Sequence, residues 1–209
     1  GEPGIGKTAL AQKAAAQSET PILLIGHCQE HAENPAYHPF TEALSTYFAT
    51  VPPELFEREP HHFLSNFVRL VPEIRQTLAF LPDPPLLKPK QEQLRLMSNL
   101  THFIKLATQE RPWLIILESL QWADQSSLAL LRYISHHLPS MALLIIGIYR
   151  DVEVGQEHPL QQTLHDLNSY PTYVHFSLDR LDAENVRQIL SQIWQEGVPG
   201  PLVEKIYQH

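Results

Sequence analysis

The sequence predicts an α/β fold, a three-layer sandwich around a mostly parallel sheet. Short apolar runs rich in β-branched residues recur along the chain, and helical segments separate them. PILLIG (21–26), WLIIL (113–117) and LLIIGI (143–148) are apolar throughout, as strands covered on both faces must be. Strands joined by helices run parallel, because a helical crossover returns the chain to the same end of the sheet.

In order along the chain, an alanine-rich helix spans 7–18 and leads into the first strand. Eight of the 18 prolines lie between Val51 and Lys90, so that stretch reads as an irregular insertion with one helix near 62–78. A helix over 91–109 carries Leu94, Met97, Leu100 or Thr101, and Ile104 at three- and four-residue spacing. After the strand at 113–117, Asp124 can cap a helix that lines up Leu128, Leu131, Ile134 and Leu138. Helices over 159–167 and 183–194 follow the strand at 143–148. Between them, YVHFSL (173–178) alternates Val174, Phe176 and Leu178 on one face, the pattern of a fourth strand.

A chain of 209 residues holds one large domain, or one domain and the start of a second. At 43% hydrophobic and 18% charged residues it is an ordinary globular composition. The longest apolar runs fall far short of the roughly 20 residues needed to cross a bilayer, and nothing near the start reads as a leader. The lone Cys28 excludes an internal disulfide and fits a reducing, cytoplasmic compartment. A net charge of -8 with no basic patch argues against direct nucleic-acid binding. His27, Cys28, His31 and His38 match no common zinc spacing.

Residues 1–8 read GEPGIGKT, the Walker A spacing of glycine, four residues, then Gly-Lys-Thr. Gly1, Gly4 and Gly6 let the backbone curl so that its N–H groups converge on phosphate oxygens. The helix starting near Lys7 adds its N-terminal dipole. Lys7 reaches the β- and γ-phosphates, and the Thr8 hydroxyl ligates Mg²⁺. By chance the four fixed positions recur in about one chain in a hundred of this length. No Asn-Lys-x-Asp is present, which favours ATP over GTP, and the Leu-Ser-Gly-Gly signature of transporter ATPases is also absent.

A phosphate loop needs a strand ending in a carboxylate that holds Mg²⁺. RPWLIILES (111–119) supplies it through Glu118, and LQWAD (120–124) follows. With these residues, IILESLQWADQSSLALL resembles the Walker B region of the STAND class of AAA+-type P-loop NTPases. More narrowly, it resembles the origin-recognition-like ATPase module of large LuxR-type regulators and adenylate cyclase-linked proteins. GHCQEHAENPAYHPFTEAL (26–44), GIYRDVEVGQEHPL (147–160) and FSLDRLDAENVRQIL (176–190) resemble that family's second strand with its helix, its fourth strand, and its fifth strand entering a helical lid. The resemblance implies that both ends are cut. The strand before the loop lies outside the sequence, as does the family's Gly-Asn-Pro lid motif, expected just after His209. Without that strand, central in the family's sheet, the chain is expected to fold poorly alone.

The resemblance also assigns roles. Residues 1–179 become the core and 180–209 the beginning of the lid. Gly1, Glu2, Pro3, Gly4, Ile5, Gly6, Lys7, Thr8 and Ala9 hold the nucleotide, and Thr8 and Glu118 hold Mg²⁺. Lys7, Glu118 and Arg150 form the catalytic set, Arg150 as the sensor of the γ-phosphate. The plainer alternative for Arg150 is a surface ion pair with Asp151 or Glu153. Where the family carries a second acidic residue, this chain has Ser119, which leaves no carboxylate to activate water unless Asp124 compensates. The expectation is an ATP-binding regulatory module that acts as a nucleotide-dependent switch in signal transduction and transcription regulation, with slow hydrolysis. Its partners are then ATP and ADP, effector and sensor domains of the same polypeptide, and a homo-oligomer formed on activation. An actively hydrolysing ATPase or phosphotransferase is the rival reading, and a nucleic-acid-acting AAA+ protein a weaker one.

Overall fold

Three apolar runs form strands: β1 (Ile22–His27), β2 (Trp113–Glu118) and β3 (Leu143–Gly147). The computed structural model describes residues 5–17, 21–30, 35–50, 65–71, 74, 81, 88–178 and 181–193. The strands pair in parallel in the order β1-β2-β3. Leu24 lies opposite Ile115 and Ile115 opposite Ile145, so all three carboxyl ends finish at one edge. The expected α/β class with a parallel sheet is what forms.

The central strand shows why a continuous apolar run was needed. Trp113, Ile115 and Leu117 enter one core cluster, while Leu114 and Ile116 enter another on the opposite face. The larger core is closed by α2 (His38–Thr50), α3 (Pro89–Glu110), α4 (Gln125–His137) and α5 (Pro159–Leu167). The rings of Tyr47, Phe48, Phe103 and Trp113 pack together within it, Phe48 stacked on Phe103 and the Tyr47 and Trp113 centroids 4.5 Å apart at a tilt. The smaller core is made with Ala11 and Ala15 of α1 (Lys7–Gln17). Two alanines on the inner face leave α1 free to lie close to the sheet, which keeps its N-terminus at the carboxyl edge of β2.

Helix starts follow sequence signals. Asp124 accepts from the Ser127 N–H at 2.9 Å to cap α4, as expected. His158 Nδ1 accepts from Leu160 N–H at the start of α5. Asp182 accepts from Asn185 N–H at 2.7 Å at the start of α6 (Ala183–Ile193). Pro89 occupies the first turn of α3, where its missing N–H has no intrahelical partner to lose.

One expectation is corrected. YVHFSL (173–178) is not a strand, and Val174 and Phe176 stand 65% and 80% exposed. Apolar alternation makes a strand only where a ladder partner lies alongside, and the described residues place none there. The helix foreseen near 62–78 lies largely outside the described residues. Its described part includes a 3₁₀ turn, Ser65–Arg69.

β1 and α2 meet at a position that only glycine can fill. A Cβ on Gly26 would sit 1.9 Å from the Pro39 carbonyl oxygen and 2.6 Å from its carbonyl carbon. Backbone cannot step aside as a flexible side chain can. Gly26→Ala is therefore expected to cost about 3 kcal/mol, lowering the melting temperature by roughly 6–12 °C for a chain of this size. Thermal denaturation checks it, and an unchanged midpoint would contradict this close approach.

Candidate functional site

At the carboxyl edge of the sheet, the end of β2, the end of β3 and the N-terminus of α1 surround a cavity of about 480 Å³. Parallel α/β sheets bind ligands at this edge because loops there sit over converging helix N-termini. The volume lies within the usual range for small-ligand sites.

One wall is the loop entering α1. Ile5, Gly6, Lys7, Thr8 and Ala9 all line the cavity, with Gln12 one turn further on. Gly6 has φ +95, a left-handed conformation that explains the glycine at this position. The Gly6 carbonyl then accepts from Leu10 N–H at 2.8 Å, the first turn of α1. Gly1, Glu2, Pro3 and Gly4 lie outside the described residues.

The other wall comes from the strand ends. Glu118 closes β2, half-buried, and Ser119 follows at φ 57 and ψ 42. That left-handed residue turns the chain sharply into a 3₁₀ turn, Leu120–Trp122. Leu120 N–H donates to the Ile148 carbonyl and Ile148 N–H to the Leu117 carbonyl, which ties the turn to the end of β3. Ile148, Tyr149 and Arg150 complete the wall.

Of the two alternatives raised for Arg150, the ion pair with Glu153 forms, and it forms at the cavity wall. Arg150 lines the cavity, and its guanidinium pairs with Glu153 at 2.7 Å and lies 5.1 Å from the Trp122 ring centroid. Trp122, half-buried against the larger core, serves as packing anchor and cation platform together. Asp124 is committed elsewhere: Ser127 N–H and Oγ–H and Tyr37 N–H donate to its oxygens. It is not among the described residues that line the cavity. Among the described wall residues, Glu118 is the one carboxylate.

Two groups nearby are chemically quiet. Burial, then the charges of Asp124 and Glu42, push the Cys28 thiol up to about 12, so it stays protonated and is no nucleophile. Burial, aided by Asp151 and then Tyr173, pushes the Tyr149 hydroxyl to about 12, and it shares a 3.0 Å hydrogen bond with His175 Nε2. His27 N–H and Nδ1 engage the Glu42 carboxylate at 2.7 and 2.9 Å, fastening β1 to α2. His31 lies outside the described residues.

The arrangement suits a polyanion: a lysine, an arginine and a helix N-terminus face a cavity with one carboxylate among its described wall residues. A Mg²⁺ ion held by one carboxylate, one hydroxyl and phosphate oxygens needs no all-protein cage. No group of three His, Cys, Asp or Glu side chains able to hold a metal occurs among the described residues. Sequence reasoning overlooked Gln121, Gln12, Ile148 and Tyr149 on the wall. Gln121 stood within the LQWAD segment, but only the turn after Ser119 brings it to the cavity. No helix among the described residues is long and apolar enough to cross a membrane.

Residues 1–146 match the model of a family described as the AAA ATPase domain. No curated protein and no solved structure matches the chain.

Proposed function

The chain belongs to the AAA ATPase domain family, a nucleotide-binding P-loop module, and from that premise we propose that it is an ATP-binding switch of the STAND type. In this reading Lys7, the backbone of residues 1–9 and the α1 N-terminus hold the phosphates. Thr8 and Glu118 hold Mg²⁺, whose charge balances the phosphate oxygens. Arg150 meets the γ-phosphate once it leaves Glu153. Residues 1–179 act as core and 180–209 as the beginning of a lid, so that ATP and ADP favour different arrangements of the two. Effector and sensor domains of the same polypeptide, and a homo-oligomer formed on activation, read out that difference in signalling or transcription.

One observation carries the switch reading over that of a fast ATPase. The cavity gathers Lys7, Thr8, Glu118, Ser119 and Arg150 on its wall, and the resemblance assigns to position 119, a serine in this chain, the second carboxylate that would take a proton from water. Such a site holds ATP better than it cleaves it. The test follows product formation from Mg·ATP by the protein after binding equilibrium is reached. Firm binding with most ATP uncleaved over many dissociation times is expected. Rapid multiple turnover would make a hydrolysing ATPase the better reading.

A further inference from the structure

Gln121 is a polar side chain built into the cavity wall with half of its hydrogen-bonding capacity unused. It is 3% exposed and shares the wall with Lys7, Thr8 and Arg150. Its Oε1 lies 3.3 Å from the Arg150 N–H. A backbone N–H can only donate, so the amide oxygen must face it, and this sets which way the amide is turned. The Nε2 is then left buried with no acceptor among the described residues.

An unmade buried donor is costly, and native proteins keep few of them. Loose packing of the whole chain does not account for this one. Trp113 Nε1 and Thr101 Oγ1 are also unpartnered, but Trp113 sits in the larger core, Thr101 is buried on α3, and neither residue lines the cavity. Gln121 alone among these three is at a site built for a ligand. A primary amide nitrogen donates and does not accept, and it carries no charge at any pH. Its missing partner is therefore an acceptor oxygen, and the cations around it select an anionic one.

We infer that Gln121 donates to an oxygen of the terminal phosphoryl group of a nucleoside triphosphate, and so makes the site prefer triphosphate over diphosphate. The inference rests on the nucleotide-binding reading of the cavity. Gln121 belongs to the wall formed by the strand ends, hydrogen-bonded to the backbone of Arg150, and not to the loop wall that holds the inner phosphates. A diphosphate leaves its Nε2 unpaired. The Oε1 bond to Arg150 N–H also makes Gln121 a link between that phosphoryl group and the segment leaving β3.

The test compares wild type with Gln121→Leu, which keeps the bulk and removes the donor. Affinities for Mg·ADP and for a non-hydrolysable Mg·ATP analogue are measured by calorimetry, and melting is followed without nucleotide. Wild type should prefer the triphosphate. The variant should lose about tenfold or more of that preference, the usual effect of one hydrogen bond to a charged oxygen, with diphosphate affinity unchanged. Its melting temperature reports the net of two opposed changes, since the unsatisfied Nε2 is removed while Arg150 N–H loses its Oε1 acceptor. Gln121→Glu, which keeps the acceptor for Arg150 N–H, should lose the preference too, and decides the matter if the leucine variant does not fold.

An unchanged preference in either folded variant overturns the inference while leaving nucleotide binding intact. Equal weakening toward both nucleotides also overturns it, since that is the mark of a merely structural turn residue. A wild type that binds neither nucleotide removes the reading of the cavity, and the inference with it.

Discussion

Lys7→Ala should weaken Mg·ATP binding about a hundredfold or more while leaving the fold unchanged. Lys7 stands in the first turn of α1, where a long cationic side chain reaches the cavity edge. In the proposed role it makes charge-assisted bonds to phosphate oxygens, each contributing about 1.5–3 kcal/mol, and two such bonds account for the expected loss. Arg150 does not offset it, because in the proposed site it meets the γ-phosphate in wild type and variant alike and takes over none of the Lys7 contacts. The helix itself should persist: its contacts to the sheet come from Ala11 and Ala15, and alanine is the best helix former. Calorimetry with the protein, alongside a melting curve, checks both halves. Unchanged ATP affinity would reject the assignment of the loop.

Ser119→Asp should raise single-turnover ATP cleavage about a hundredfold, with a much smaller change in affinity. A serine hydroxyl can hydrogen-bond a water molecule but cannot take its proton near neutral pH, and a positioned general base contributes about 10²–10⁴-fold. The backbone favours this particular substitution. Position 119 has φ 57 and ψ 42, a left-handed conformation that aspartate tolerates better than most residues. The residue also lines the cavity, so the new carboxylate starts on the correct wall. Quench-flow measurement of product in a single turnover is the readout, with Ser119→Ala as a control expected to match wild type. A wild type already as fast as the aspartate variant would mean that another group activates the water, and the role given to position 119 would fall.

Much of this molecule was legible in its residues. Three runs of consecutive apolar residues predicted three strands, although only β2 is covered on both faces as expected, Leu23 of β1 and Leu144 of β3 standing 39% and 59% exposed. The expected cap at Asp124 and the helices at 7–18, 91–109 and 159–167 form to within a few residues at their ends, since they depend on neighbours within one turn. The Walker A spacing was equally plain, and its Gly6 takes the left-handed conformation that glycine accommodates.

Contacts between distant segments were another matter. YVHFSL has the alternation of a strand, yet a strand exists only by its ladder, and the ladder is made by residues elsewhere in the chain. Asp124 could have faced the cavity or the helix start, and its distance to Ser127 and Tyr37 decided for the helix. Arg150 was open between an ion pair and the cavity until Glu153 and Trp122 were seen to hold it at the cavity wall. Gln121 stood in the LQWAD segment, but nothing in one dimension gave it a place on the cavity wall. It reaches the wall because Ser119 turns left-handed and Arg150 N–H orients its amide, two events 31 positions apart that no periodicity connects. Local patterns set the strands, caps and loop because their energies are local; the third dimension alone set which polar groups remained unpaired at the cavity.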